Sequence, residues 1–140
     1  MMKVNIRDEC VDKFEQLKMG KEFSYLVLNI SEEEEIVPCS LVRRVHGAPG
    51  ASYEEFTAKM PEDDLRYGIF DLNFDSKDGM HMSKIIFILW SPEGTKPKRR
   101  MLFASSKDLF NKHLVGIAKD IQAVTHADLD REEIIRGLGH

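Results

Sequence analysis

A mixed α/β fold, with one sheet covered by helices on both faces, follows from three features of the sequence. The 140 residues suit one domain with one core. The run Lys84 to Trp90 is apolar on both of its faces, as a central strand covered twice must be. Helical patterns stand before, between and after the strand patterns, so helices are available for both faces.

The elements follow in chain order. Asn5 is placed as a helix N-cap, with Asp8 three residues on. Cys10, Phe14 and Leu17 recur at i, i+4 and i+7, one face of a helix, and Gly20 can end it. Tyr25 to Ile30 is short and β-rich. Ile36 to Val45 reads as a second strand, at an edge or bent because of Pro38, with Glu32 to Glu35 an exposed turn between the two. His46 to Gly50 is a loop by composition. Ser52 and Glu55 form a capping box for a short helix with Phe56 and Met60 inward, closed by Pro61.

Arg66 to Phe74 alternates as a strand, and Lys77-Asp78-Gly79 signals a hairpin turn into Lys84–Trp90. Ser91 to Gly94 breaks the chain. Pro97 suits the first turn of a helix that can run to Leu114, bent at Ser105-Ser106 and stopped by Gly116. In it Met101, Ala104, Leu109, Phe110 and Leu114 are expected to face inward. Asp120 to Val124 is the last strand, and Asp130 caps a final helix carrying Ile134, Ile135 and Leu138.

Composition narrows the function. No apolar run approaches the ~20 residues of a membrane span. The N-terminal residues lack the apolar region of a signal peptide, so a cytoplasmic location is expected. Cys10 and Cys39 form no CxxC and are read as reduced thiols. The five histidines are scattered without HExxH or a zinc spacing. GxSxG, P-loop, GxGxxG and EF-hand patterns are missing, so neither a metal nor a cofactor is expected, and an enzyme is disfavoured.

Charge is polarised. The net charge is −4, yet residues 96 to 112 carry +5 and the remainder −9. Lys98, Arg99 and Arg100 stand at a helix N-terminus, where the macrodipole disfavours each cation by roughly 0.3–1 kcal/mol. The bland alternative is a solvated run with no partner. The functional one is an acidic protein surface or a phosphoinositide headgroup, met by Lys96, Lys98, Arg99, Arg100 and Lys112. Nucleic acid fits poorly, because no aromatics interleave with the charges and the protein is acidic overall.

At this point the residues resemble a known family. Trp90-Ser91-Pro92-Glu93, followed by the run from Lys98 through Met101 to Asp108, is similar to the signature of ADF/cofilin proteins, W-[SA]-P-[DE] and then basic-x-basic-M-x-[YF]-[AST]-S-[ST]-K-[DE]. Val4 to Glu9, Tyr53 to Phe56 and Arg66 to Asp71 fit the family's start and middle, so the resemblance is collinear over residues 1 to 140. It implies a single actin-depolymerising-factor homology domain, with a central mixed sheet of five or six strands between helices on both faces. It implies a monomeric protein that binds actin, as monomer and as filament subunit, prefers the ADP state, and speeds filament depolymerisation or severing.

The resemblance also implies the contacts. The long helix inserts its exposed side into a cleft of the actin subunit, so Lys98, Arg100, Met101, Lys107, Asp108 and Lys112, with Val4 and Ile6, match the monomer-binding surface. Lys84, Glu132 and Arg136 match a second surface that grips the neighbouring subunit of a filament. Departures stand beside these matches: Asn111, Met82 and Glu133 occupy places where a basic residue is common. Residues 1 to 23 contain no Ser or Thr, so the family's regulatory serine is missing. Weak severing is therefore expected, with a monomer sequesterer or a phosphoinositide-binding module as the alternatives.

Overall fold

The computed structural model describes residues 4–19, 23–43 and 53–139. Its sheet has six strands: β1 (Asn5–Ile6), β2 (Phe23–Ile30), β3 (Glu35–Arg43), β4 (Arg66–Asp75), β5 (His81–Trp90) and β6 (Lys119–Ala123). Their spatial order is β1-β3-β2-β4-β5-β6. The central pairs are antiparallel, whereas β1 with β3 and β5 with β6 run parallel. The sheet is thus mixed, and the helices are α1 (Asp8–Lys18), α2 (Tyr53–Thr57), α3 (Pro97–Asn111) and α4 (Arg131–Gly137).

Strand periodicity divides the core in two. Ile85, Phe87 and Leu89 of β5 point to one face, where they meet Phe14 and Leu17 of α1 and Phe103 and Phe110 of α3. Ile86, Ile88 and Trp90 point to the other, with Phe56 of α2 and Ile134 of α4. Both faces of β5 are covered, as its unbroken apolar run requires. Trp90 is 1% exposed, and its Nε1–H donates to the Pro61 carbonyl at 2.6 Å. Gly68 lets α2 lie close on β4: a Cβ there would come within 2.7 Å of the Phe56 ring and 2.8 Å of Met60 Cε.

Several local expectations hold. Glu32 to Glu34 form an exposed turn, Pro38 sits beside the register shift between Val27 and Leu28, and the β4–β5 hairpin turns at Gly79 with φ +81°. Asp130 caps α4, its carboxylate accepting from the Glu132 amide. Cys10 and Cys39 are free thiols. Burial, reinforced by Glu9, pushes the Cys10 thiol up to about 12, so it stays protonated and packs as a small apolar group. Gly20, Val45, the loop from His46 to Gly50 and the Ser52 cap lie outside the described residues.

Other expectations are corrected. Asn5 is no N-cap. Its amide donates to the Glu34 carbonyl and that of Arg7 to Ile36, so the chain stays extended as β1 and the helix begins at Asp8. Three of the five inward assignments in α3 fail. Met101 is 62% and Leu109 41% exposed, and Ala104 is exposed too. Leu102, Phe103, Ser106 and Phe110 are buried instead. The helix rotation is set by rings: Tyr67 lies 4.9 Å from Phe103 and 5.6 Å from Phe110, and its hydroxyl donates to the Phe103 carbonyl. Burying each such side chain is worth roughly 1.5–3 kcal/mol, more than any preference of Met101 or Leu109 at the rim. The helix also ends at Asn111, and Leu114 is buried in the turn beyond it. Ser105-Ser106 does not interrupt it.

Candidate functional site

α3 presents one continuous outer stripe. Lys98, Met101, Ser105, Asp108 and Lys112 follow at i, i+3, i+7, i+10 and i+14, all exposed, with Leu109 at the flank. The stripe is an apolar knob, Met101, between cations. Lys98 and Lys112 form no ion pair among the described residues, and neither do Lys96 and the half-buried Lys107. The helix has no acid in its first turn and no side-chain N-cap. Nothing local therefore offsets the macrodipole's effect on Lys98. An acidic surface carrying an apolar recess is the complement of this stripe.

The other two cations of the triplet are turned into the fold. Arg99 Nε donates to Asp64 Oδ1 at 2.8 Å and its Nη2 to Asn29 Oδ1 at 2.9 Å, while the guanidinium stands 5.1 Å over the Phe103 ring. Arg66 shares the same carboxylate at 2.7 Å. Burial pushes the Asp64 carboxyl up. The Arg66 guanidinium, the Leu65 amide and the Arg99 guanidinium together outweigh it and hold Asp64 below the usual carboxylate range. Arg100 donates from Nε to Thr95 Oγ1 at 2.8 Å and from Nη2 to the Pro92 carbonyl at 3.3 Å. Of the residues grouped by sequence as an anion patch, Lys96, Lys98 and Lys112 are the solvent-facing ones.

At the N-terminus the structure separates the expected pair. Val4 is 4% exposed and belongs to the core cluster with Cys10 and Phe14 of α1. Ile6 is half-buried against that core.

The second group of candidates lies on the opposite face of the sheet. Lys84, half-buried, points to the same face as Ile86 and Ile88, the face that α4 covers. Met82 packs against that core. On α4, Glu132 is exposed and lies 3.5 Å from Arg131, and Arg136 is paired with Glu133 at 2.6 Å. The one α4 cation assigned to a contact is thus matched by an acid one turn away. At the end of α3, Asn111 donates to Asp120 at 2.9 Å and so ties the helix to β6.

Sequence reasoning missed Asp64 and Asn29 as partners of Arg99. They lie 35 and 70 residues away in the chain, and no periodicity connects them. It also missed the exposure of Leu109. Among the described residues no group of three or more His, Cys, Asp or Glu could hold a metal ion, and no helix is long and apolar enough to cross a membrane.

Comparison with known proteins matches this arrangement. The family model described as cofilin/tropomyosin-type actin-binding protein covers residues 3–139. Actin-depolymerizing factor 6 of Oryza sativa subsp. japonica is 39% identical over 127 residues, 91% of this chain and 88% of its own length. Actophorin of Acanthamoeba castellanii is 37% identical over 134 residues, 96% of this chain and 94% of its own. The crystal structure of Streptomyces griseoflavus cofilin superposes with a TM-score of 0.84 at 30% identity, covering 97% of both chains. With the mixed sheet, the helices on both faces and the exposed stripe of α3, these matches show that the chain belongs to the ADF/cofilin family of actin-binding proteins.

Proposed function

We propose that this protein, as a single domain over residues 1–140, binds actin monomers and filament subunits and promotes filament depolymerisation. It acts by binding and not by catalysis, as a monomer in the cytoplasm associated with the cytoskeleton, without cofactor or metal. The observation that carries the reading is the outer stripe of α3, where Lys98 and Lys112, without an ion pair among the described residues, flank the exposed Met101. Asp108 belongs to this stripe, and the half-buried Lys107 and Arg100 border it. ADP-actin is the preferred state, and severing is weak, because the second surface (Lys84, Glu132, Arg136) holds Met82 and Glu133 and its Arg136 is already paired. Co-sedimentation with filaments and direct imaging of filaments after mixing test this. Binding with subunit loss and few cuts is expected; filaments that neither bind nor shorten would refute it.

Phosphoinositide headgroups are a second partner of the same surface, favoured by the exposure of Lys96, Lys98 and Lys112 and weakened by the internal engagement of Arg99. Vesicles carrying such headgroups should compete with actin. Independent, simultaneous binding of both would separate the two sites.

A further inference from the structure

The fold splits the basic run that opens α3. Lys98 faces solvent, whereas Arg99 reaches back over the end of the sheet to three separate segments: Asn29 and the Ile30 carbonyl at the end of β2, Asp64 in the loop before β4, and Phe103 one turn along its own helix. The pair stands beside an open cleft of about 480 Å³ lined in part by Asn29, Asp64, Arg66, Lys96 and Arg99. The side chains of Arg99 and Asp64 are 29% and 30% exposed, so their attraction is less screened than that of a fully solvated pair. The Nε–Nη2 edge of Arg99 is occupied by the two oxygens of Asp64, and the Nη1–Nη2 edge donates to the Ile30 carbonyl and to Asn29 Oδ1. This forked geometry fixes direction as well as distance, which a lysine cannot do.

We infer that Arg99 is a positioning residue: its fork on Asp64 and Asn29 holds the first turn of α3 in the pose from which Lys98 and Met101 meet an acidic partner. The turn needs such a hold. It has no side-chain N-cap and no acid to match its dipole. Lys98 precedes Arg99 directly and Met101 follows it by two residues, so any rotation of this turn moves both contact groups. Arg100, through Thr95 and Pro92, braces the same turn from the other side.

Electrostatics and positioning predict opposite signs at Asp64. Asp64→Asn removes an acid beside a basic surface, so a partner attracted by charge alone should bind more tightly. If the carboxylate instead orients the helix through Arg99, the same change should weaken binding. Arg99→Lys keeps the charge and loses the fork, so a pure charge role predicts no effect and positioning predicts a loss.

The inference rests on the actin reading, and its test distinguishes the two. Affinity for actin monomers is measured for the full chain, Asp64→Asn, Arg99→Lys, Arg99→Gln and the Asp64→Asn/Arg99→Gln double variant. Amide exchange at residues 100–102 is followed in the same proteins, with thermal melts to confirm folding. Each single variant should bind roughly threefold to tenfold more weakly, the double variant no more weakly than the worse single one, and exchange should quicken in that turn. Tighter binding by Asp64→Asn, or unchanged binding by a folded Arg99→Lys, overturns the inference. If the unaltered protein binds no actin, the functional reading fails. Exchange then decides the clamp alone: quickening confined to residues 100–102 supports it, and unchanged exchange overturns it.

Discussion

The two charged surfaces of this protein, on opposite faces of one sheet, use their ions differently. On α3 the arginines of the basic triplet are consumed by the fold, and Lys98 and Lys112 are left facing solvent without an ion pair among the described residues. On α4 the exposed Arg136 is matched at 2.6 Å by Glu133, and Arg131 approaches Glu132. One surface therefore keeps charge available for a partner, and the other largely satisfies itself. The difference teaches that the number of cations in a stretch of sequence says little about attraction. What counts is how many remain unpaired once the chain has folded.

The largest test of this contrast acts on α3. Lys98→Ala with Arg100→Ala should weaken actin binding by roughly 10- to 100-fold, since truncating one interfacial charge, that of Lys98, costs ~2 kcal/mol or more. Part of that loss comes from Arg100 releasing Thr95, so the protein must stay folded by its thermal melt. Wild-type affinity in a folded double variant would remove α3 from the site. Salt sharpens the same point. Binding through unpaired Lys98 and Lys112 should fall as salt rises past about 0.1 M, where exposed charges are screened over ~10 Å; affinity flat with salt would assign the contact to Met101 and its apolar surroundings.

A smaller effect is expected on the opposite face. Glu133→Arg breaks the pair that occupies Arg136, and Met82→Arg adds a cation next to Lys84. Each exposed pair is worth only ~0.2–1 kcal/mol, so the two are combined. The double variant should raise the number of cuts per micrometre of filament while monomer affinity stays unchanged. No gain in cutting would mean that Lys84 and Arg131 already supply what this surface needs.

The smallest effect concerns acid. The folded Asp64 carboxyl titrates below its ordinary value near 3.8, because guanidinium and amide donors outweigh its burial. A depressed folded pKa gives stability that is present above the unfolded value and lost as pH falls through the folded one. Asp64→Asn should therefore lower the melting temperature at about pH 7 and at about pH 5 alike, and the gap to the unaltered protein should close as pH falls through the depressed folded value. A gap that persists in acid would show that Asn fails there for reasons of shape instead of charge.

The sequence by itself determined the order of the four helices and of strands β2 to β6, the doubly covered central strand Lys84–Trp90, the hairpin at Gly79, the cap at Asp130 and, through the run from Trp90 to Asp108, the family. These are local signals: period, turn chemistry and a contiguous motif are all written within a few residues of where they act. Only the tertiary structure decided which way α3 is rotated, because the rings of Tyr67 and Phe87 arrive from other strands and draw Phe103 and Phe110 inward, leaving Met101 and Leu109 outside. It also decided that Val4 is core and that Asn5 is strand, since the amides of Asn5 and Arg7 find carbonyls on the turn into β3 and on β3 itself. It divided the basic triplet as well. Arg99 and Lys98 are neighbours of the same sign in the chain, and only the arrival of Asp64 and Asn29 from distant segments makes one a brace of the fold, while the other faces solvent.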